Sequence, residues 1–342
     1  MRSVVGAEGK MMKKIGVAIP VFLILCIGLA LSYLYYDFTA GKKAAEKWWG
    51  ERKVARITDL GTTKTLTVLP VMDWVPGRDG LKHESGVSYL IKTDTATLLL
   101  DTGLNIEKES PSPLLYNMKQ LGISLADFDT LVISHNHLDH VGGLRYQSLK
   151  SFSMDKEQIP LGHKRIYTPI PMTYPGQDPV CVEKPRKIAE GITTTGVIRS
   201  HLYLMGTVSE QAIAVNLEGK GVVLISACGH QTLPKLLQLT QELFAEPLYG
   251  VIGGLHYPVT PLQSNIRLMG IPVQNYFGTG KLPWKPITLE EVRQNVALLK
   301  SRNPRYVALS PHDSCRLSIQ TFKQTFGSAY HEIRTGVPLT VQ

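Results

Sequence analysis

Ser134-His135-Asn136-His137-Leu138-Asp139-His140-Val141-Gly142-Gly143 is the stretch that decides how this chain is read. It follows the apolar run Leu131–Ile133, which reads as a short buried strand. In extended backbone, residues two apart point the same way, so His135 and His137 can reach one metal ion. Asp139 and His140 come from the turn that opens the next helix and can serve a second ion. Three imidazoles and a carboxylate within six residues suit a borderline metal such as zinc. A surface histidine run is the plain alternative, but the buried strand before the cluster and the Gly-Gly turn after it argue against one.

Outward from this cluster, β-like and helix-like segments alternate. Thr65–Val71 reads as a strand, and Val87–Thr93 and Thr97–Leu100 as a pair joined at Asp94. Leu114–Leu121 is helix-like, and Gly142 onward opens a helix. Gly221–Ser226 and Leu248–Ile252 are strands with the helix-like Leu233–Phe244 between them. Thr288–Ser301 is a strong helix: Thr288 and Glu291 form a capping box, and Val292, Val296 and Leu299 recur on one face. Tyr306–Leu309 is the last clear strand. Hairpins mixed with β-α-β order predict an α/β fold of two sheets sandwiched between helices, not a simple doubly wound sheet. Residues 257–286 carry five prolines and three glycines with few helix or strand signals. A stretch of that kind beside a candidate histidine predicts a lid.

The 342 residues carry a net charge of +9, enough to ask what anion they meet. Much of the excess (Lys10, Lys13, Lys14, Lys42, Lys43, Lys47, Arg52, Lys53, Arg56) flanks Ile15–Tyr36, which has no charged residue. That placement favours a membrane surface, and no nucleic acid is expected. At 1.5 Å per residue, Ile15–Tyr36 is long enough for a hydrocarbon core of roughly 30 Å. The expected organisation is a tail (1–14), a transmembrane signal anchor (15–36), a juxtamembrane helix or linker (37–63) and a catalytic domain (64–342) containing the lid (257–286). A first apolar segment ahead of a large domain acts as an export signal, so a single-pass protein with an extracytoplasmic catalytic domain is expected. Trp48 and Trp49 could rest on the membrane or on the folded domain. The four cysteines match neither a CxxC motif nor a disulfide framework.

The H-x-H-x-D-H pattern resembles the signature of the metallo-β-lactamase superfamily. Leu98–Gly103, ending in Asp101-Thr102-Gly103, is similar to the strand-to-turn segment of that superfamily. Glu84–Ile91, Gly191–Gly196, Ser209–Ala212, Cys228-Gly229-His230 and Gly253-Gly254-Leu255-His256 resemble segments of its branch related to dihydropterin–ribofuranosylaminobenzene phosphate synthases. The resemblance spans roughly Thr65 to Cys315. It implies an αββα sandwich, with His135, His137 and His230 on a first metal and Asp139, His140 and a late histidine on a second. His312 is the candidate for the last ligand, with Asp313 as the alternative, because Ser310–Cys315 departs from the branch's P-x-H-C-T-G. His256 stands where many members place a bridging aspartate or a cysteine, so it would ligate one ion or contact substrate. Asp101 is implied to orient a ligand, and Glu84 to lie beside the site. Cys228 and Cys315 lie near proposed ligands without a clear ligand position, and His83 could reach the site edge. His163, His201 and His331 read as surface or packing residues.

The chemistry expected is hydrolysis of an ester-type bond by a metal-bound hydroxide, with Asp139 orienting the nucleophile or moving its proton. Two zinc ions are expected, with manganese or iron as alternatives, and an anionic small molecule as substrate. The branch and the basic charge favour a phosphodiester or phosphate-containing compound. A lactonase or thioesterase activity on the same site, or a non-catalytic metal-binding membrane protein, are the alternatives.

Overall fold

The computed structural model describes residues 4–260, 267–268 and 270–341, with side chains from Pro20 onward apart from Arg267 and Leu268. The expected tail and lid are therefore covered in part: residues 1–3, 261–266 and 269 lie outside the described residues, as do the side chains of Lys10, Lys13 and Lys14.

The chain opens with α1 (Val4–Glu51), a helix of 48 residues that carries Pro20 inside it. It does not stop where the apolar run ends. The segment expected as a separate juxtamembrane helix or linker continues it without a break, because Ala, Lys and Glu propagate a helix well and nothing there interrupts it. From Pro20 on, α1 is long and apolar enough to cross a membrane, with mean hydropathy 1.9 over its most apolar window. Only 6% of that window is buried, whereas a core helix of a soluble domain would be mostly covered. Its last turns pack on the rest of the chain. Phe38, Ala45 and Trp49 are buried, and Trp49 joins the cluster around Leu233, Leu236 and Leu237 with the Arg52 guanidinium 3.1 Å from its ring centroid.

Two sheets follow. The strands β1 (Leu66–Met72), β2 (Ser88–Thr93) and β3 (Thr97–Leu100) form an antiparallel meander; α2 (Pro113–Gln120) then leads to β4 (Thr130–Val132), parallel to β3. After α3 (Leu144–Ser148), β5 (Arg165–Thr168) and β6 (Val180–Cys181) extend the sheet in parallel. The second sheet begins with β7 (Lys187–Ala189), β8 (Ile192–Leu202), β9 (Gly206–Leu217) and β10 (Gly221–Ser226), all antiparallel. Helix α4 (Leu233–Leu243) crosses to β11 (Leu248–Gly253), parallel to β10. A short pair, β12 (Arg267–Leu268) and β13 (Ile271–Pro272), and α5 (Val273–Phe277) lie within the stretch expected as a lid. Helix α6 (Leu289–Lys300), β14 (Tyr306–Leu309) on β11, α7 (Arg316–Phe326) and β15 (Leu339–Val341) on β1 complete the order.

The period-2 alternation of strand side chains explains the layers. Leu98 and Leu100 of β3 meet Val223 and Ile225 of β10 between the sheets, while Leu99 turns outward to α2 and Val222 and Leu224 to α4. Both sheets are thus buried on two faces, and helices cover each outer side. The architecture is the α/β, metallo-β-lactamase-like sandwich expected from the sequence. Strands β4, β10, β11 and β14 belong to the parallel parts of the two sheets. Their carboxyl ends, where α/β proteins place ligands, carry the candidate residues.

Candidate metal centre

His135 and His137 leave the end of β4, His230 the end of β10, and the nitrogen donors of all three lie within 4.8 Å of one another. The donors of Asp139, His140 and His312, which follows β14, lie equally close together. All six residues are buried. The rings of His135 and His140 are 4.2 Å apart between centroids, so the two groups share a wall.

The hydrogen bonds around these groups leave particular atoms over. Asp101 accepts from Ser134 N at 2.7 Å and Ser134 Oγ at 2.6 Å, and its Oδ2 takes the Nδ1 proton of His140 at 2.7 Å. Asp101 holds φ of 62°, a left-handed conformation that a short polar side chain tolerates. Ser134 Oγ also contacts His135 Nδ1 at 2.9 Å. With their Nδ1 atoms engaged, His135 Nε2 and His140 Nε2 are buried without a hydrogen-bond partner. An unpaired buried nitrogen is costly unless something binds it, so the donor set fits metal ions.

Electrostatics point the same way. Burial pushes His135 and His230 well below the ordinary imidazole value and His137 down to about 4, so these rings are neutral, the form that ligates a metal. Burial opposes ionisation of Asp139, but the His140 and His312 rings outweigh it and hold the carboxyl well below its usual range. Burial likewise opposes a charge on His312, yet Asp313 and Asp139 raise it to about 9. His140 is raised too, by Asp139 and Asp101 against burial. Without an ion the carboxylates around the second group therefore favour protonated rings, and a bound cation would take the place of those protons.

The other expected residues fall into distinct places. His256 is not part of the Asp139–His140–His312 group. Its Nδ1 lies 3.4 Å from Cys228 Sγ, its Nε2 3.3 Å from Gln274 O, and its backbone takes φ of 54°. Cys228 Sγ is also 3.2 Å from His230 Nε2, so Cys228, His230 and His256 form a third donor group beside the first. Asp313 accepts from His256 N at 2.9 Å and from Ser314 Oγ at 2.8 Å, bracing that loop. No hydrogen bond joins the Glu84 carboxylate to the six, though Asp139 lies near enough to repel its charge. The Glu84 oxygens accept from Leu104 N at 2.7 Å and Asn105 N at 2.9 Å and fix the turn after β3. His83 packs edge-on against Trp74, His331 stacks on Tyr306 and His163 is exposed. Cys315 Sγ lies near Ser318 and Thr260, away from the donors.

Three residues had no role assigned from sequence. Glu210 accepts from Gly229 N at 2.8 Å and Cys228 N at 3.3 Å and so holds the turn that presents His230; burial raises its carboxyl to about 7. Asp73 accepts from Tyr89 Oη at 2.5 Å and Ser310 Oγ at 2.7 Å, fixing the start of the His312 loop. Gly278 O accepts from His230 Nδ1 at 2.8 Å, which brings the 270–286 segment onto the site. A cavity of about 280 Å³ lies beside it, lined in part by His230, His256, Thr232, Gly278 and Lys281.

The family model described as metallo-beta-lactamase superfamily matches residues 82–147. The 7,8-dihydropterin-6-methyl-4-(beta-D-ribofuranosyl)-aminobenzene-5'-phosphate synthase of Methanocaldococcus jannaschii is 26% identical over 220 residues, 51% of this chain and 71% of that protein. A probable RNase of the same organism, MJ4, is 46% identical over 66 residues, 19% of this chain and 14% of that protein. Among solved structures, Tm1679, a metal-dependent hydrolase of the beta-lactamase superfamily, superposes with a TM-score of 0.53 over 81% of this chain and 99% of its own, at 20% identity; that likeness speaks for the architecture. Residues 82–147 carry the match to the metallo-β-lactamase superfamily, within a fold shared with a solved member of that superfamily. The class of protein that fold and site define together is the metallohydrolases.

Proposed function

We propose that the chain hydrolyses an ester-type bond in a phosphate-containing small molecule or phosphodiester. His135, His137 and His230 hold one metal ion, and Asp139, His140 and His312 a second. The observation that carries this reading is the pair of adjoining buried donor groups with unpaired Nε2 atoms on His135 and His140. Zinc suits a set of imidazoles and one carboxylate, with manganese or iron as alternatives. When bound, such ions supply Lewis acidity and make a water acidic enough to lose its proton near neutral pH. Asp139, ionised and between His140 and His312, is placed to hold that water's proton and pass it on. Asp101 fixes the His140 ring, and Glu210 fixes the turn bearing His230.

A phosphate-bearing substrate is favoured by the relative whose name carries a 5'-phosphate, by the 66-residue likeness to a probable RNase and by the basic chain. Residues 257–286 act as the lid: Gly278 and Gln274 reach His230 and His312 through hydrogen bonds. Helix α1 acts as a single-pass anchor, supported by its length, apolar composition and lack of cover. A first apolar segment ahead of a large domain favours the extracytoplasmic side for the domain from residue 64 on.

The test uses the full chain in detergent, since Phe38 and Trp49 of α1 are buried against the rest. It is loaded with zinc or manganese and assayed on an activated aryl phosphodiester beside His137→Ala, with metal content and circular dichroism recorded for both. Turnover by the parent alone, with both proteins folded, is the expected result. A folded, metal-loaded parent that cleaves no phosphodiester refutes the substrate class.

A further inference from the structure

The best-exposed aromatic of the catalytic domain lies beside the anchor helix. Trp284 is 59% exposed, and its ring stacks on Tyr35 of α1 at 6.5 Å between centroids. Trp284 also meets Tyr203 at 6.1 Å, and Tyr203 in turn touches Phe277 and Phe38. At the tip of the β8–β9 hairpin, Leu204 (54%) and Met205 (39%) stand exposed next to Tyr203. Lys42 Nζ donates to Gly280 O at 3.3 Å. One aromatic joint therefore ties α1, the hairpin tip and the lid segment together, and Gly278 O of that segment accepts a hydrogen bond from His230 Nδ1.

Helix geometry sets the height of this joint. The uncharged stretch ends at Tyr36, and Lys42 lies six residues further, about 9 Å along the axis. That is roughly one headgroup layer beyond the hydrocarbon edge. Trp284, level with Tyr35, sits at the edge itself, where tryptophan and tyrosine partition. Exposed Lys42, Lys43 and Lys285 put positive charge around it.

We infer that Leu204, Met205 and Trp284, with Tyr35 and Tyr36, form a surface seated in the lipid interface. From this surface the site takes an amphiphile whose head carries the scissile ester while its tail stays in the bilayer. This rests on α1 being the membrane anchor and on the hydrolase reading above. Continuity with the apolar run of α1 identifies lipid as the occupant; the lid residues Gly278, Thr279 and Lys281 wall the cavity, and Trp284 belongs to the same segment. The reaction is a simple hydrolysis: water oxygen bonds to the phosphorus, the ester oxygen leaves, and that oxygen takes the proton.

The experiment uses the full chain in vesicles of phosphatidylcholine and phosphatidylglycerol. Tryptophan quenching by brominated phosphatidylcholine is compared between the parent and Trp284→Phe. Turnover is then compared on methylumbelliferyl methyl phosphate and methylumbelliferyl hexadecyl phosphate, which differ in tail alone. The expected result is a quenched component that disappears in Trp284→Phe and a hexadecyl-to-methyl rate ratio of at least about tenfold. Met205→Glu should lower that ratio. Protein that floats with the vesicles but shows no Trp284-dependent quenching overturns the inference, as when a second copy covers the face; equal rates on the two probes also overturn it. Protein that does not float refutes the anchor reading and this inference with it. Quenching without hydrolysis of either probe refutes the phosphodiester reading and the amphiphile with it, and leaves the lipid-seated surface standing.

Discussion

Asp101→Asn changes one charge at the centre of the site and little else. The native φ of 62° suits asparagine as well as aspartate, so the backbone is not the cause of any effect. An asparagine oxygen can still accept from Ser134 N, but its amide group then faces His140 Nδ1, where a donor already stands at 2.7 Å. His140 must move its proton to Nε2, the atom proposed to bind metal. Losing one charge-assisted buried hydrogen bond costs about 1.5–3 kcal/mol of folding stability. Losing the group that orients a ligand histidine costs about 10–100-fold in metal affinity, or about 1.4–2.8 kcal/mol. Competition with a fluorescent chelator measures the second quantity, and urea melts of the metal-free protein the first. A variant that binds both ions with parental affinity would show that Asp101 does not set the His140 tautomer.

Two further changes probe other parts of the argument. A Cβ at Gly254 would lie 2.3 Å from Ala227 O and 2.4 Å from Asp313 Oδ2, so Gly254→Ala should cost about 1–3 kcal/mol. Gly50→Ala, with nothing within 4 Å, should be neutral or slightly stabilising in thermal melts, and equal melting of the two variants would contradict the packing. Asp94 is drawn down to about 2 by the Thr63 hydroxyl and then by the Thr65 and Lys64 N–H groups. Its folded value lies below the ordinary 3.8, so the stability it contributes is present above that value and fades as pH falls towards 2. Carboxyl NMR should place its midpoint near 2; a midpoint near 3.8 would remove these hydrogen bonds from the account.

The parts of the fold legible in the sequence were those with a strong period or a cap. Thr288–Ser301 appears as α6 with both arms of its capping box in place, and β3, β10 and β14 fall where apolar runs placed them. The long β8–β9 hairpin was not read as strand, because Thr193, Thr194, Thr195 and Gln211 are buried polar residues whose hydroxyl and amide groups bond nearby backbone. Within the site, the local H-x-H-x-D-H spacing was readable because all its residues hang from one strand end. The roles of Ser134, Glu210, Asp73 and Gly278 depend on contacts between distant segments, and no local pattern marks them. Glu84 belongs to the resembling segment Glu84–Ile91, and its carboxylate holds the backbone of Leu104 and Asn105. Charge past Tyr36 marks the end of the lipid-facing run but not the end of a helix, so α1 continues to Glu51.

The candidate donors hang from both halves of the sandwich. His135, His137, Asp139 and His140 follow β4 in one sheet, and His230 and His312 follow β10 and β14 in the other. Gln211 of β9 bridges the same seam, donating to Ser134 O at 3.0 Å and Ile133 O at 2.9 Å. All four cysteines are free, so no covalent bond ties the sheets. Ions held by these donors would act as a clasp across the seam. The sheets could then neither slide nor splay without first letting go of the cations, so resistance to proteolysis and heat would follow metal supply.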